Sequence, residues 1–201
     1  MLKRALDFVV SAFGVVLLSP LMLILGIWIR LDSRGPVFYR SERVGKNGRP
    51  LLMYKFRTMV LEADRIGPAV TYRDDPRVTK AGKFLRRTKL DELPQLINVL
   101  KGEMSLVGPR PEDPSYVAHY DAQQLEVLRV KPGMTGPTQL DYRDEASMLE
   151  GGSAVEDYLS SIMPEKLKLD LYYVQNRSLR LDIRILWQTT IALLLRDRRS
   201  L

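Results

Sequence analysis

The chain has 201 residues, enough for one compact domain and too few for two ordinary ones. Its 45% apolar and 27% charged residues are those of a folded protein, and a net charge of +7 asks for an anionic partner without distinguishing nucleic acid, lipid headgroup or phosphorylated substrate. With no cysteine and one histidine, His119, a disulfide framework, a thiolate zinc site and a multi-histidine metal centre are excluded, so any chemistry rests on carboxylates, lysines, arginines or hydroxyls.

From Phe8 to Ile29 no residue is charged, and as a helix this run reaches about 33 Å, enough to span a bilayer core. It is long for a secretory signal, and Arg30, Asp32 and Arg34 stand where a small-residue cleavage site would be. Two features speak against a straight crossing. Ser19-Pro20 lies mid-run, where proline deletes a backbone hydrogen bond and the serine hydroxyl can satisfy a freed carbonyl. Basic residues flank both ends, Lys3 and Arg4 before, Arg30, Arg34, Arg40 and Arg43 after, so the charge asymmetry that orients a spanning helix is weak. A helix–break–helix that enters one leaflet and returns fits both features. A kinked transmembrane anchor also fits, since proline is common in such helices.

Residues 36–60 read as two strands, Val37-Phe38-Tyr39 and Leu51 to Phe56, around a Gly45-Lys46-Asn47-Gly48 turn. Residues 60–80 are polar and mixed, a short helix and a loop. A helix begins near Pro94, because Leu93, Leu96, Ile97 and Leu100 repeat at i, i+3, i+4 and i+7 and Lys101-Gly102 is a stop signal. Proline- and glycine-rich loops follow at 107–114 and 132–137. A further helix starts at Pro164 with Leu167, Leu171 and Val174 inward. The last apolar stretch, Ile183 to Leu195, is too short to span and reads as an interfacial or core helix with a basic end at Arg196, Arg198 and Arg199.

Asp91 and Glu92 are the leading candidates for chemistry. At the N-terminal end of a helix near Pro94, the dipole would keep an aspartate ionised, as a nucleophile or hard-metal ligand requires, and Lys89, Arg86 and Arg87 act in the same sense. Acidic residues are also ordinary in any first helical turn. Lys55, Arg57, Arg73, Arg77, Arg86, Arg87 and Arg110 could pair with phosphate, though most arginines of a basic chain are solvated; Arg110 stands out because Gly108-Pro109-Arg110-Pro111 holds it in a stiff loop. Neither a GxxxxGK[ST] loop nor a GxGxxG fingerprint occurs. His119, alone in a Tyr-rich stretch, reads as a surface or packing residue.

Five segments in order resemble the bacterial sugar transferases, the monotopic phosphoglycosyl transferase superfamily: Tyr54-Lys55-Phe56-Arg57-Thr58-Met59; Leu90 to Leu96; Asn98 to Gly102; Met104 to Pro111; and Pro132-Gly133-Met134-Thr135-Gly136. The resemblance implies an α/β domain, mixed and mostly helical, with an N-terminal re-entrant membrane helix broken at Ser19 and Pro20 and with interfacial amphipathic helices. The boundaries would be 1–34 for the membrane segment, 35–180 for the catalytic domain and 181–201 for a C-terminal interfacial or packing helix. It further implies that Asp91 of an Asp91–Glu92 dyad attacks the β-phosphate of a UDP-sugar, releasing UMP. Polyprenol (undecaprenyl) phosphate then takes the sugar phosphate from the covalent intermediate. Mg2+ would be held near Asp91. Lys55, Arg57, Arg86, Arg110 and Arg143 match positions of phosphate or structural contacts, and Asp170 a further acid. The implied setting is the cytoplasmic face of the bacterial inner membrane, with membrane lipid as partner and no nucleic acid. Without the four N-terminal membrane helices of larger members, the chain reads as the minimal form. It departs from the family pattern at Pro137-Thr138-Gln139-Leu140, and that region and the 145–163 insertion are expected to touch the sugar. Two other functions fit the charge and the anchor: a membrane-tethered basic domain binding nucleic acid or anionic lipid, and a metal-dependent phosphohydrolase of a lipid diphosphate.

Overall fold

The structure, a computed structural model, describes residues 2–149 and 152–195, so Arg196, Arg198 and Arg199 lie outside the described residues. It opens with α1 (Leu2–Asp32), a helix of 31 residues and about 46 Å if straight. The helix is assigned without interruption through Pro20, and Ser19 Oγ donates to Val16 O at 2.8 Å, so the two expected half-helices form one element. By length and composition α1 can cross a membrane. Its surface is inverted relative to a soluble helix: Phe8, Phe13, Val16, Leu23, Ile24 and Leu31 are exposed, whereas Asp7 and Ser11 are buried.

Both ends of α1 sit on the same domain. Lys3 Nζ donates to Asp182 Oδ2 (2.7 Å) and Val107 O (3.1 Å), Arg4 donates to the carbonyls of Val99 and Leu100, and Asp7 accepts from Ser105 Oγ and Leu106 N. Lys3 and Arg4, read above as a charged flank, are thus bonded into the fold. At the other end Leu25 and Ile29 pack with Phe56 and Leu85, and Asp32 Oδ2 accepts from Ala81 N.

Strands β1 (Phe38–Val44) and β2 (Pro50–Phe56) pair antiparallel, Phe38 opposite Phe56 and Val44 opposite Pro50. The reversal falls where the glycines place it, with Asn47 (φ 57°) and Gly48 (φ 74°) left-handed. After α2 (Ala63–Ile66) comes α3 (Lys80–Thr88), a helix that the apolar pattern does not announce. Its start is a capping signal instead: Thr79 Oγ1 accepts from Gly82 N at 3.0 Å. Helix α4 (Gln95–Lys101) ends at Gly102, left-handed at φ 82°. Its buried face is Gln95, Leu96, Asn98 and Val99 rather than the expected 93–96–97–100 stripe, because Asn98 serves as a side-chain partner for the hairpin. Asn98 Oδ1 accepts from Tyr54 N, and Nδ2 donates to Leu52 O.

Strand β3 (Ser105–Val107) pairs in parallel with β4 (Gly133–Thr135), with α5 (Pro114–Val117) between them in sequence. Helices α6 (Pro137–Asp141) and α7 (Ala154–Asp157) follow, the latter continuing through a π-type turn at Tyr158–Ile162 into α8 (Met163–Asn176). Helix α9 (Leu179–Leu195) starts four residues before the expected stretch. It packs Leu181, Ile185 and Leu186 against the core of Met53, Val99 and Met104, leaving Ile183 and Trp187 exposed. The result is mixed α/β and mostly helical.

Candidate active site

A cavity of about 790 Å3 lies between the hairpin, the α3–α4 connection and the loops after β3 and β4, and Asp91 and Glu92 line it. Lys89, left-handed at φ 61°, ends α3 and turns the chain into a short 3-10 turn, Leu90–Glu92. Leu90 and Leu93 pack against Phe56 and Leu85, so the turn is fixed by its apolar side and shows its two carboxylates to the cavity. The expected helix-dipole stabilisation is corrected here. Helix α4 is seven residues long and begins only at Gln95, so the charge balance at the dyad is set by neighbouring cations.

Lys55 falls on the inward face of β2 with Leu51 and Met53, as strand alternation requires, and its Nζ stands 3.8 Å from Glu92 Oε1. Arg110 Nη2 donates to the same oxygen at 2.8 Å. Burial works against ionising Glu92, but Arg110 and Lys55 outweigh it and hold the carboxyl at about 2. Asp91 is pushed the other way: burial, then the Glu92 charge, raise its pKa, against Lys55, Arg86 and Lys89. Two adjacent carboxyls are thus driven apart, one locked as an anion by a bonded arginine, the other left without a hydrogen bond at Oδ1 among the described residues. An orphaned, buried carboxylate oxygen suits a hard cation, which commonly uses one or two protein carboxylates and completes its shell with substrate phosphates. Among the described residues no group of three metal-ligating side chains gathers, so Asp91 would be the protein's contribution.

Burial lowers the Lys55 ammonium to about 8, with Glu92 opposing and Arg110 assisting. Below that pH Lys55 is a cation facing the cavity; above it the charge is lost. kcat/KM for a phosphorylated substrate is therefore expected to fall as pH rises through about 8, and Lys55→Arg, which stays charged, should carry that alkaline limb beyond pH 10. A limb unchanged in Lys55→Arg would remove Lys55 from substrate attraction.

Arg110 is held by backbone contacts that only glycine permits. Gly108 N donates to Thr135 O and Gly133 N to Pro109 O, and a Cβ on Gly133 would lie 2.1 Å from Gly108 N. Behind this loop sits Asp170, buried, accepting from Thr138 Oγ1. Burial raises it to about 7, opposed by Thr138, Lys166 and the Arg110 backbone. Asp170 therefore supports the Arg110 loop rather than lining the cavity. Arg57 does line the cavity, and three of its five N–H donors go to Pro36 O, Ser33 Oγ and Ser33 O, closing the loop after α1. Arg86 donates to Thr58 and Thr71 hydroxyls beside the dyad. Arg143 donates to Ala192 O, joining the segment after α6 to α9. Sequence reading missed one polar network on the cavity wall. Lys166 Nζ donates to Glu145 Oε2 (2.6 Å) and Tyr158 OH (2.9 Å), and Tyr158 OH donates to Glu112 Oε2. Its members come from three segments, Glu112, Glu145 and the continuous helix that carries Tyr158 and Lys166, and no spacing rule links all three.

A family model described as bacterial sugar transferase matches residues 1–196. The chain is 42% identical over 195 residues to the UDP-glucose:undecaprenyl-phosphate glucose-1-phosphate transferase of Escherichia coli (strain K12), covering 94% of this chain and 39% of that protein. It is 37% identical over 193 residues to the UDP-N-acetylgalactosamine-undecaprenyl-phosphate N-acetylgalactosaminephosphotransferase of Aeromonas hydrophila, covering 94% and 42%. A Caulobacter vibrioides protein with the same name as the E. coli one is 38% identical over 198 residues, covering 97% and 70%. The chain thus spans less than half the length of the first two relatives.

Proposed function

We propose that this chain, which belongs to the bacterial sugar transferase family, moves a sugar 1-phosphate from a UDP-sugar onto undecaprenyl phosphate, the first membrane step in building a glycoconjugate. The observation that carries the reading is the split dyad: Glu92 fixed as an anion by Arg110 and Lys55, and Asp91 beside it, lining the cavity and with a buried oxygen that has no hydrogen-bond partner among the described residues.

In the first step an Asp91 carboxylate oxygen forms a bond to the β-phosphorus, and the bond from that phosphorus to the bridging oxygen breaks. UMP leaves with the bridging oxygen, and the sugar phosphate remains as an acyl phosphate on Asp91. In the second, an oxygen of the lipid phosphate attacks the same phosphorus, the acyl phosphate bond breaks, and the carboxylate is restored. Lys55 and Arg110 offset the charge gathered where an anionic nucleophile meets a diphosphate. Glu92 keeps Arg110 aimed at the site. Bound Mg2+, held by Asp91 with the donor's phosphate oxygens, would neutralise phosphate charge. Splitting the transfer at one carboxylate means the two substrates never need to share the cavity.

The topology proposed is re-entrant, both ends of α1 on the cytoplasmic face of the inner membrane with a bend at Pro20. Support comes from the charged contacts of Lys3, Arg4 and Asp7 at one end and of Asp32 at the other, all to one polar domain. A helix crossing the bilayer would have to break one set. The exposed Ile183 and Trp187 of α9 fit an interfacial helix. Because the chain has no cysteine, Leu2→Cys and Arg34→Cys give clean single labels at exposed positions. Both should react with an impermeant thiol reagent from the same side of sealed vesicles; labelling from opposite sides would restore a spanning helix. The activity itself is read as UMP released from a UDP-sugar with undecaprenyl phosphate and magnesium. Free phosphate without UMP would instead indicate a phosphohydrolase.

A further inference from the structure

The dyad does not hold the cavity's only orphaned polar group. Gln139, on α6, lines the same cavity, and both its Oε1 and Nε2 are buried with no hydrogen-bond partner among the described residues. A buried side-chain amide normally satisfies at least part of its capacity, and an isolated one calls for an explanation such as a ligand. The amide is also close to the catalytic loop. A Cβ on Gly136 would lie 2.9 Å from Gln139 Oε1 and 2.4 Å from the carbonyl oxygen of Gly108, two residues before Arg110. Among the described residues the amide makes no hydrogen bond that a ligand would have to break.

We propose that Gln139 is a specificity-determining residue that hydrogen-bonds the sugar of the donor. This rests on the phosphosugar-transfer reading and deepens it. Two arguments favour the sugar over the rest of the donor. The first is chemistry: the phosphates have Lys55 and Arg110, whereas an amide, both donor and acceptor, matches hydroxyls that are also both. The second is surroundings: Gln139 shares its cavity with Asp91, at which the sugar-bearing phosphorus would react.

The test is the rate of UMP release, as kcat/KM, from UDP-glucose, UDP-galactose, UDP-N-acetylglucosamine and UDP-N-acetylgalactosamine, which differ at the sugar C2 substituent and C4 configuration and share their uridine diphosphate. It would be measured for wild type, Gln139→Ala and the near-isosteric Gln139→Glu, all as full chains in lipid nanodiscs with undecaprenyl phosphate. The expected result is that the ratio between the best and second-best donor falls roughly tenfold in Gln139→Ala, about the value of one hydrogen bond to a neutral partner. Gln139→Glu, which loses the N–H donors, should shift the ratio as well and reports on its own should Gln139→Ala fail to fold. If wild type discriminates and neither variant changes the ratio by more than about twofold, the proposal is overturned while the transferase reading stands. An equal loss on all four donors would put the amide on the shared nucleotide and overturn it too. Absence of UMP from every donor with wild type would sink the transferase reading and the proposal with it.

Discussion

Asp91→Asn is expected to reduce UMP release by about a thousandfold or more, with little change in thermal stability. Asparagine keeps the shape of a side chain that is 7% exposed, and the lost charge has no hydrogen bond at Oδ1 to break. Removing a carboxyl whose pKa burial has already raised should leave the fold intact or slightly more stable. The chemistry, by contrast, needs an anionic oxygen at that position, and an amide does not supply one. Glu92→Gln separates positioning from attack. It leaves Arg110 with a neutral partner and Lys55 without its nearby anion, and should lower kcat by about a hundredfold while adduct formation on Asp91 is slowed rather than abolished. Turnover by Asp91→Asn near the wild-type rate would end the assignment of Asp91.

Gly133→Ala is the second large effect, and it falls on the fold first. The new methyl would sit 2.1 Å from Gly108 N and 2.6 Å from Gly108 Cα, all backbone, so no side chain can move aside. The β3–β4 pair would have to part, and with it the Gly108 N to Thr135 O and Gly133 N to Pro109 O bonds that hold the Arg110 loop. We expect about 3 kcal/mol of destabilisation and near-complete loss of activity, checked by thermal denaturation and UMP release in nanodiscs. Gly48→Ala is the control. Its φ of 74° penalises a side chain, but nothing lies within 4 Å, so the cost should be about 1 kcal/mol with activity retained.

What could be read before the structure follows from which forces are local. The hairpin is written in alternation and in two residues that tolerate a left-handed backbone, and α4 in its start and stop signals. The dyad was visible as a pair of acids, but the charge logic around it was not. Asp91 was expected to be kept ionised by a helix end, whereas a 3-10 turn stands there and the pKa is governed by burial and by Glu92. Helix α3 escaped because most of its residues are basic or small, and what holds it is Gly82 packed on Thr58 O, a contact 24 residues away in sequence. Arg57 reads in one dimension as a phosphate or structural contact and Asp170 as a further acid; in three, Arg57 bonds the backbone at Ser33 and Pro36 and Asp170 accepts from the Thr138 hydroxyl. Strands β3 and β4 are three residues each, too short for a period to show, and pair across a gap that holds α5 and a 3-10 turn at Gln124–Arg129. Lys3 and Arg4 read as membrane flanks because sequence shows charge but not partner.

The account turns on a covalent bond at one side chain. Mass spectrometry of the intact chain and of its proteolytic peptides, after mixing with magnesium and a donor that wild type turns over but without lipid acceptor, tests it most directly. The expected result is a mass increase of one sugar phosphate on the peptide carrying Asp91, absent from Asp91→Asn and discharged when undecaprenyl phosphate is added. Full turnover upon adding acceptor, with no adduct at any time under acid quench or an adduct on another residue, would contradict it.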